Sequence, residues 1–312
     1  MKKILLREYG SVDVLFERYE ALPTIMENQL VVKLAATGVN DVDVAIRKNG
    51  FPATVLSKKK LPHSLGHEFS GIVTQVGKNV TKFKVGDHVI GLNPLDTYSE
   101  NIVIDENAII DKVPKELDLI PLGGLLVAAL PAWSAVILEG KVKANQRVLI
   151  HGGAGGVGSM AIQFAKNAGA YVITTARARD KEYVESLGAD EVIDYQNEDF
   201  EELVKDVDLV VHLVDKNTQD KSFSVIKSGG KLMSPSVVPD QEKAEQYNVE
   251  AKFIRGDTSS ETRASIIDLY SNNKLSIHVD KIYPFSLEGV KTAHTDFEKG
   301  PNRGKKIIKF DE

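Results

Sequence analysis

The sequence contains no cysteine, a single tryptophan and four methionines. Without cysteine there is no disulfide and no zinc site built on thiolates, and the composition suits a reducing compartment, so a cytoplasmic location is expected. No apolar run approaches the roughly 20 residues needed to cross a bilayer. The longest, from 122 to 138, is broken by Gly123, Gly124, Pro131 and Ser134 and reads as a buried helical segment. The opening residues become charged again after three apolar positions, too early for a signal-peptide core, so no membrane association is expected. Basic charge is not in excess either. The 39 Lys and Arg are outnumbered by 44 Asp and Glu, for a formal net charge of −5, which argues against nucleic acid as a partner. The short run Lys58-Lys59-Lys60 reads as a solvated loop. There is no internal repeat.

A chain of 312 residues exceeds a comfortable single core, so two domains are expected. The first third carries strand signals: "QLVVKLAATGVN", "EFSGIVTQVG", "DHVIGL" and "ENIVIDENAII" are short, β-branched runs punctuated by Gly, Asn and Asp, the pattern of an antiparallel, barrel-like region. From about Leu117 the rhythm changes. "RVLIH", "YVITTA", "EVIDY", "LVVHLV" and "KLMSPS" recur with helical segments between several of them, which implies a doubly wound parallel sheet. The closing segment reads as a strand, an amphipathic helix with Val290, Ala293 and Phe297 on one face, and a last strand. It is expected to return to the first domain. The expected division is 1–116 with 281–312, and 117–280.

Gly153, Gly155 and Gly158 form G-x-G-x-x-G within Gly153-Ala154-Gly155-Gly156-Val157-Gly158. The pattern follows a strand directly and leads a helix whose apolar positions repeat at helical spacing until Gly169 stops it. In that context the glycines permit a tight turn and let backbone N–H groups approach a pyrophosphate at the helix N-terminus. A site for NAD would place Asp or Glu about 20 residues further on, to meet the ribose 2′-OH. This strand ends Thr174-Thr175-Ala176-Arg177-Ala178-Arg179, with no acid until Asp180. Arg177, with Lys181, suits a 2′-phosphate instead. NADPH is the expected cofactor.

With the glycine loop placed after a β-rich domain, the chain resembles the medium-chain dehydrogenase/reductase superfamily, and within it the zinc-independent quinone oxidoreductase branch. The anchors are "TGVNDVDVAIRKNG", "LGHEFSGIVTQVG", "VGDHVIGL", "TYSENIVI", "GGAGGVG", "LGADEVIDY" and "NRGKKIIKF", in the family's order along essentially the whole chain. The resemblance implies an α/β fold: a Rossmann doubly wound parallel sheet plus a GroES-like β-rich barrel domain. It also implies a homodimer. It places Tyr195 near the adenosine ribose phosphate, and His212, Leu213 and Val214 at the nicotinamide ribose. Ser234 and Pro235 end the fifth Rossmann strand. Arg303 and Lys305, in the terminal motif, are expected on the cofactor. Pro131 departs from the family pattern, where a threonine hydroxyl stands near the nicotinamide.

In zinc-dependent relatives the position matching Asn40 is a cysteine ligand, and His67 and Glu68 match a His-Glu pair. Here the first slot is an amide and the region of the third ligand, near Leu126, is apolar, so no metal is expected. Without a Lewis acid, alcohol oxidation has little support, whereas quinones and α,β-unsaturated carbonyls delocalise the charge that hydride addition creates. The expected activity is therefore NADPH-dependent reduction of a small quinone or enone. Asn40 is the candidate amide donor, with Asp43 and His67 as further catalytic candidates and Glu68 ordering the cleft; His67 reads either as a structural or cleft-lining histidine or as a proton relay. Asp43 and Arg47 either share the Asn40 face or form a surface ion pair. Tyr98 reads as core or cleft. No residue stands out as the general acid, and solvent is a sufficient proton source. Two alternatives remain: an NADPH-binding redox sensor or scaffold without catalysis, and a zinc-type alcohol dehydrogenase.

Overall fold

The computed structural model describes residues 1–50 and 60–311. Lys58 and Lys59, in the run read as a solvated loop, lie outside the described residues. The chain divides into two compact units, Met1–Val127 with Ile277–Glu312, and Ala128–Ser276.

In the first unit an 11-residue strand, Gln29–Val39, organises the main sheet. It pairs antiparallel with Glu68–Val76 on one side. Its other side is shared by Asn101–Asp105 and by the last strand, Lys305–Lys309. The strand is long enough to take two partners end to end, and this closes the terminal segment onto the first domain as the sequence pattern implies. A smaller three-stranded sheet is built from Lys2–Leu6, Leu15–Tyr19 and His63–Ser64. Val290, Ala293, Tyr283 and Ile308 pack with Leu30, Val32 and Phe69 in one apolar core.

The first unit extends past residue 116 because the next segment packs against it. Ser70 Oγ donates to the Leu119 carbonyl at 2.6 Å. A Cβ on Gly123 would lie 2.6 Å from the Ala36 Cβ, so only glycine admits that approach. At the other boundary the Lys305 amide donates to the His278 carbonyl at 2.8 Å, tying the 277–280 segment to the last strand.

The second unit holds six parallel strands. In spatial order they are Glu191–Asp194, Tyr171–Ala176, Arg147–His151, Val207–Val211, Ile226–Ser234 and Glu250–Phe253. Chain order therefore runs outward from Arg147–His151 in one direction, then resumes on its other side, which is the doubly wound arrangement. Crevices at such a reversal, beyond the carboxyl ends of the strands, are where these sheets bind ligands. Val148, Leu149 and Ile150 are fully buried, as expected of a strand covered on both faces. The sixth strand, Glu250–Phe253, has no counterpart in the sequence reading. It is an edge strand of four residues in which only Ala251 is buried, too short and too polar for apolar periodicity to reveal.

Pro131 lies inside the helix Leu126–Trp133, which continues as a π-turn over Ser134–Leu138. A proline removes one backbone donor from the helix ladder, and a wide turn following it is a common form of local adjustment. Gly256 passes close by: a Cβ there would lie 2.9 Å from the Leu130 Cβ and 3.1 Å from the Pro131 nitrogen.

Candidate active site

The glycine loop joins strand Arg147–His151 to helix Gly156–Asn167. Its glycines have separable causes. A Cβ on Gly153 would lie 2.0 Å from Thr174 Oγ1, and one on Gly158 would lie 2.2 Å from the Gly152 carbonyl oxygen. Those two glycines are required by the fold. A Cβ on Gly155 meets nothing nearer than 3.4 Å, an ordinary contact. The protein's own packing does not demand glycine there, which leaves room beside the backbone at the N-terminus of a 12-residue helix. A dinucleotide pyrophosphate fits that cradle.

Around the loop a hydrogen-bond network fixes the strand ends. His151 is fully buried, with Nδ1 3.2 Å from Thr175 Oγ1 and Nε2 3.1 Å from Ser222 Oγ. Ser222 already donates to the Thr218 carbonyl, so it accepts from His151 Nε2–H, and Thr175 donates to Nδ1. Thr175 Oγ1 in turn accepts the Gly152 amide at 3.2 Å. His212 follows the same logic. Its Nε2 donates to the Asp215 carbonyl at 2.9 Å, and Nδ1 accepts from Ser234 Oγ at 3.3 Å. Burial holds His151 down to about 3 and His212 down to about 4, so both are neutral tautomers with defined donors.

The predicted cofactor residues of this unit gather at the same end of the sheet. A Cβ on Gly152 would meet Val214 at 3.2 Å and Leu213 at 3.9 Å. The Tyr195 amide donates to the Ala176 carbonyl at 3.2 Å, and the Tyr195 ring is half exposed. Arg177 stands at the strand tip but is not a solvated side chain. It is buried and paired with Asp180, the acid that the sequence reading places too far along to matter. Lys181 is exposed and lies 3.8 Å from Glu185. Ser234 differs in kind. It is fully buried, donates to His212 and accepts from Gln219 and the Val237 amide, so it supports the strand end instead of facing a ligand.

The first unit carries a separate polar cluster. Asn40 caps the helix Asp41–Asn49, and Asp43 Oδ2 accepts the Asn40 amide at 2.9 Å, the carboxylate half of a capping box. Asp43 Oδ1 accepts the Gly66 amide at 2.9 Å and His67 Nδ1 at 2.7 Å. Burial pushes the Asp43 carboxyl up. The His67 charge and hydrogen bond, the nearby His294 and the Asn40 amide outweigh that push and leave it below the ordinary range. Asn40 Nδ2 donates to Glu68 Oε1 at 3.0 Å, and Asn40 Oδ1 accepts from the Lys305 ammonium. Both ends of the Asn40 amide are thus engaged inside the cluster. Glu68 also accepts from Lys305 at 3.0 Å and from the Val127 amide at 2.9 Å. Lys305 is buried, so its charge is held here within the unit; Arg303, two residues before it, is half-buried.

Arg47 does not pair with Asp43, and neither is a surface group. The Arg47 guanidinium is buried between the Gly10 carbonyl, His294 Nδ1 and Glu298. His294 Nε2 meets the Tyr98 hydroxyl at 2.9 Å. Tyr98 is therefore core, on a polar chain that ties Asp41–Asn49 to the helix Leu287–Glu298.

Three family models match, the last two overlapping: an alcohol dehydrogenase GroES-like domain over residues 26–114, an alanine dehydrogenase/PNT C-terminal domain over 128–222, and a zinc-binding dehydrogenase over 187–308. The 2-methylene-furan-3-one reductase of Solanum lycopersicum is 32% identical, with 99% of this chain and 79% of that protein aligned. The chain belongs to the medium-chain dehydrogenase/reductase superfamily. Its branch is the zinc-independent quinone oxidoreductase type. The NADPH-dependent alkenal/one oxidoreductase of Arabidopsis thaliana is 34% identical over 75% of this chain, and the aligned part spans 62% of that longer protein. The quinone oxidoreductase structure from Coxiella burnetii superposes with a TM-score of 0.90 at 32% identity, covering 99% of each chain. This member of the superfamily is an oxidoreductase.

One matching model carries zinc in its description, and the residues here do not fit that ion. An amide stands at 40, Glu68 is bound to an ammonium, and the Lys305 cation already lies where the donor oxygens converge. Among the described residues no three His, Cys, Asp or Glu side chains cluster as a metal site.

Proposed function

We propose that the protein reduces a small quinone or α,β-unsaturated carbonyl compound with NADPH, without a metal. The observation that carries this reading is the Gly155 cradle, left open by the protein's own packing, with Arg177 at the next strand tip. When bound, NADPH supplies the hydride. The loop amides would hold the pyrophosphate, and Arg177 would donate to the 2′-phosphate, with Asp180 fixing its guanidinium plane. Leu213 and Val214 flank the loop, and Tyr195 stands beside Ala176 at the tip of the next strand.

Hydride addition to a conjugated carbonyl leaves charge that the conjugation spreads, so the protein must position the acceptor and handle one proton. His67 is the candidate for that proton. Its Nδ1 donates to Asp43, which orients the ring and presents Nε2 on the opposite side. Asn40 and Asp43 act as positioning residues for His67 and Glu68. We further propose a cytoplasmic homodimer, with the edge strand Glu250–Phe253, where Phe253 is 42% exposed, as the available pairing surface; sedimentation of the purified protein tests it.

The test of function is oxidation of NADPH by the purified protein with a panel of quinones and enals, against NADH. Turnover with NADPH much faster than with NADH is expected. Saturable NADPH binding without turnover on any acceptor would favour a nucleotide-binding sensor instead.

A further inference from the structure

His151 and Thr175 stand in register on neighbouring parallel strands, and their side chains belong to a hydrogen-bond chain that runs in one direction. The Gly152 amide donates to Thr175 Oγ1 at 3.2 Å, and Thr175 Oγ1 lies 3.2 Å from His151 Nδ1. His151 Nε2 lies 3.1 Å from Ser222 Oγ, whose own proton goes to the Thr218 carbonyl at 2.6 Å. With the Ser222 proton engaged there, Nε2 carries the imidazole proton, Nδ1 accepts, and the Thr175 proton points at it. A Thr175 lone pair is then free for the loop. The Gly153 amide donates to the Thr175 carbonyl at 3.1 Å, so Thr175 fixes two consecutive loop amides. Gly152 has a φ of +72°, and these bonds hold the left-handed turn with which the loop opens. His151 and Ser222 are fully buried, so they act on a nucleotide only through that backbone.

We infer that His151 is a positioning residue for the dinucleotide: it fixes the Thr175 hydroxyl that holds Gly152, and Ser222, 71 positions away, sets the tautomer that makes it an acceptor. The inference rests on the NADPH cradle of the loop and not on which acceptor is reduced. An apolar ring at 151 would fill the same space against Phe200, whose ring centroid lies 4.6 Å away. It would leave the Thr175 hydroxyl free to rotate, and the Gly152 amide without a fixed acceptor. Loss of the Ser222 hydroxyl works through the opposite tautomer. The imidazole proton then moves to Nδ1 and competes with the Gly152 amide for Thr175 Oγ1. In both cases the loop loses its fixed aim, the preorganisation that spares a ligand the cost of ordering it. The pyrophosphate is common to NADPH and NADH, so both should suffer alike.

The test uses the full chain as wild type, His151→Phe, Thr175→Val, Thr175→Ser, Ser222→Ala and the double variant His151→Phe/Thr175→Val. Calorimetry gives NADPH and NADH affinity, and Tm checks folding. His151→Phe and Thr175→Val should each bind both nucleotides about tenfold more weakly, and Ser222→Ala should weaken both. The double variant should lose no more than the worse single variant, because both changes break one chain of bonds. Thr175→Ser keeps the hydroxyl and should retain most of the affinity that Thr175→Val loses. Additive losses in the double variant overturn the inference, as does a loss confined to NADPH or a folded His151→Phe of wild-type affinity. Where His151→Phe does not fold, Ser222→Ala leaves the ring in place, and unchanged affinity there overturns it equally. A wild type that binds neither nucleotide overturns the cradle reading, and this inference with it.

Discussion

Arg177 and Asp180 meet at a single carboxylate oxygen: Nε lies 2.8 Å and Nη2 2.7 Å from Asp180 Oδ2. The ion pair is buried at the tip of the second Rossmann strand, so the guanidinium is held in place before any ligand arrives. Two of its five donors are engaged, and the rest remain for a phosphate. Arg177→Ala should weaken NADPH by about 1.5–3 kcal/mol, the worth of hydrogen bonds to a charged group, while NADH binding changes little. Asp180→Asn should shift preference further towards NADPH by removing a negative charge beside the 2′-phosphate. Calorimetry with both nucleotides checks this; equal losses for the two in Arg177→Ala would refute the phosphate role.

The glycine loop predicts two different failures. Gly155→Ala should fold with an unchanged Tm and lose nucleotide affinity, because its Cβ meets only an ordinary contact within the protein. Gly158→Ala should lower Tm markedly, because its Cβ would lie 2.2 Å from the Gly152 carbonyl oxygen. Thermal melts with and without NADPH separate the two.

Stability should fall in mild acid. Burial holds His151 at about 3 and His212 and His294 at about 4, whereas an unfolded histidine titrates near 6.5. Between those values the unfolded chain binds more protons than the folded one. The stabilisation is thus complete above about pH 6.5 and erodes as pH drops, on the order of 1 kcal/mol per pH unit for each histidine. Asp43, whose folded pKa is depressed, contributes a further loss at lower pH, as it is protonated. Urea unfolding at pH 8, 7, 6 and 5 should show a plateau followed by a steep decline. A flat profile to pH 5 would refute it.

Arg47 is the structural keystone of its helix. Arg47→Met should cost about 3–5 kcal/mol, since it strands buried partners. Glu298→Gln should cost about 1 kcal/mol or less, because that carboxylate is partly solvated. Calorimetric Tm values test the contrast, and equal losses would contradict the assignment.

Much of the fold is legible in the chain because it rests on local periodicity and on backbone demands. The apolar run before Gly153, the helical spacing after it and the stop at Gly169, whose φ is +82°, place strand, loop and helix without tertiary information. The terminal strand pattern returns 305–309 to the first unit for the same reason. The edge strand Glu250–Phe253 escapes because an edge needs little apolar character. The boundary at Val127 escapes because it depends on Gly123 fitting against Ala36 and Gly124 against Ile307, both distant in the chain.

The site is less legible than the fold. His67, Asp43 and Asn40 stand out by motif, but nothing in their spacing reveals that both ends of the Asn40 amide are engaged. Lys305 carries one available signal, a lysine inside an otherwise inward-facing strand, yet its partners are 237 and 265 positions away. Asp180 is visible as a residue three positions beyond Arg177, but only the strand-to-helix turn brings its carboxylate back.

The sequence by itself determined the nucleotide loop, the succession of strands and helices and the absence of thiolate chemistry, since these follow from residue type and near-neighbour geometry. Tertiary structure alone decided which charges neutralise one another. Burial removes the water that would screen them, and only packing between distant segments chooses the partner that replaces it.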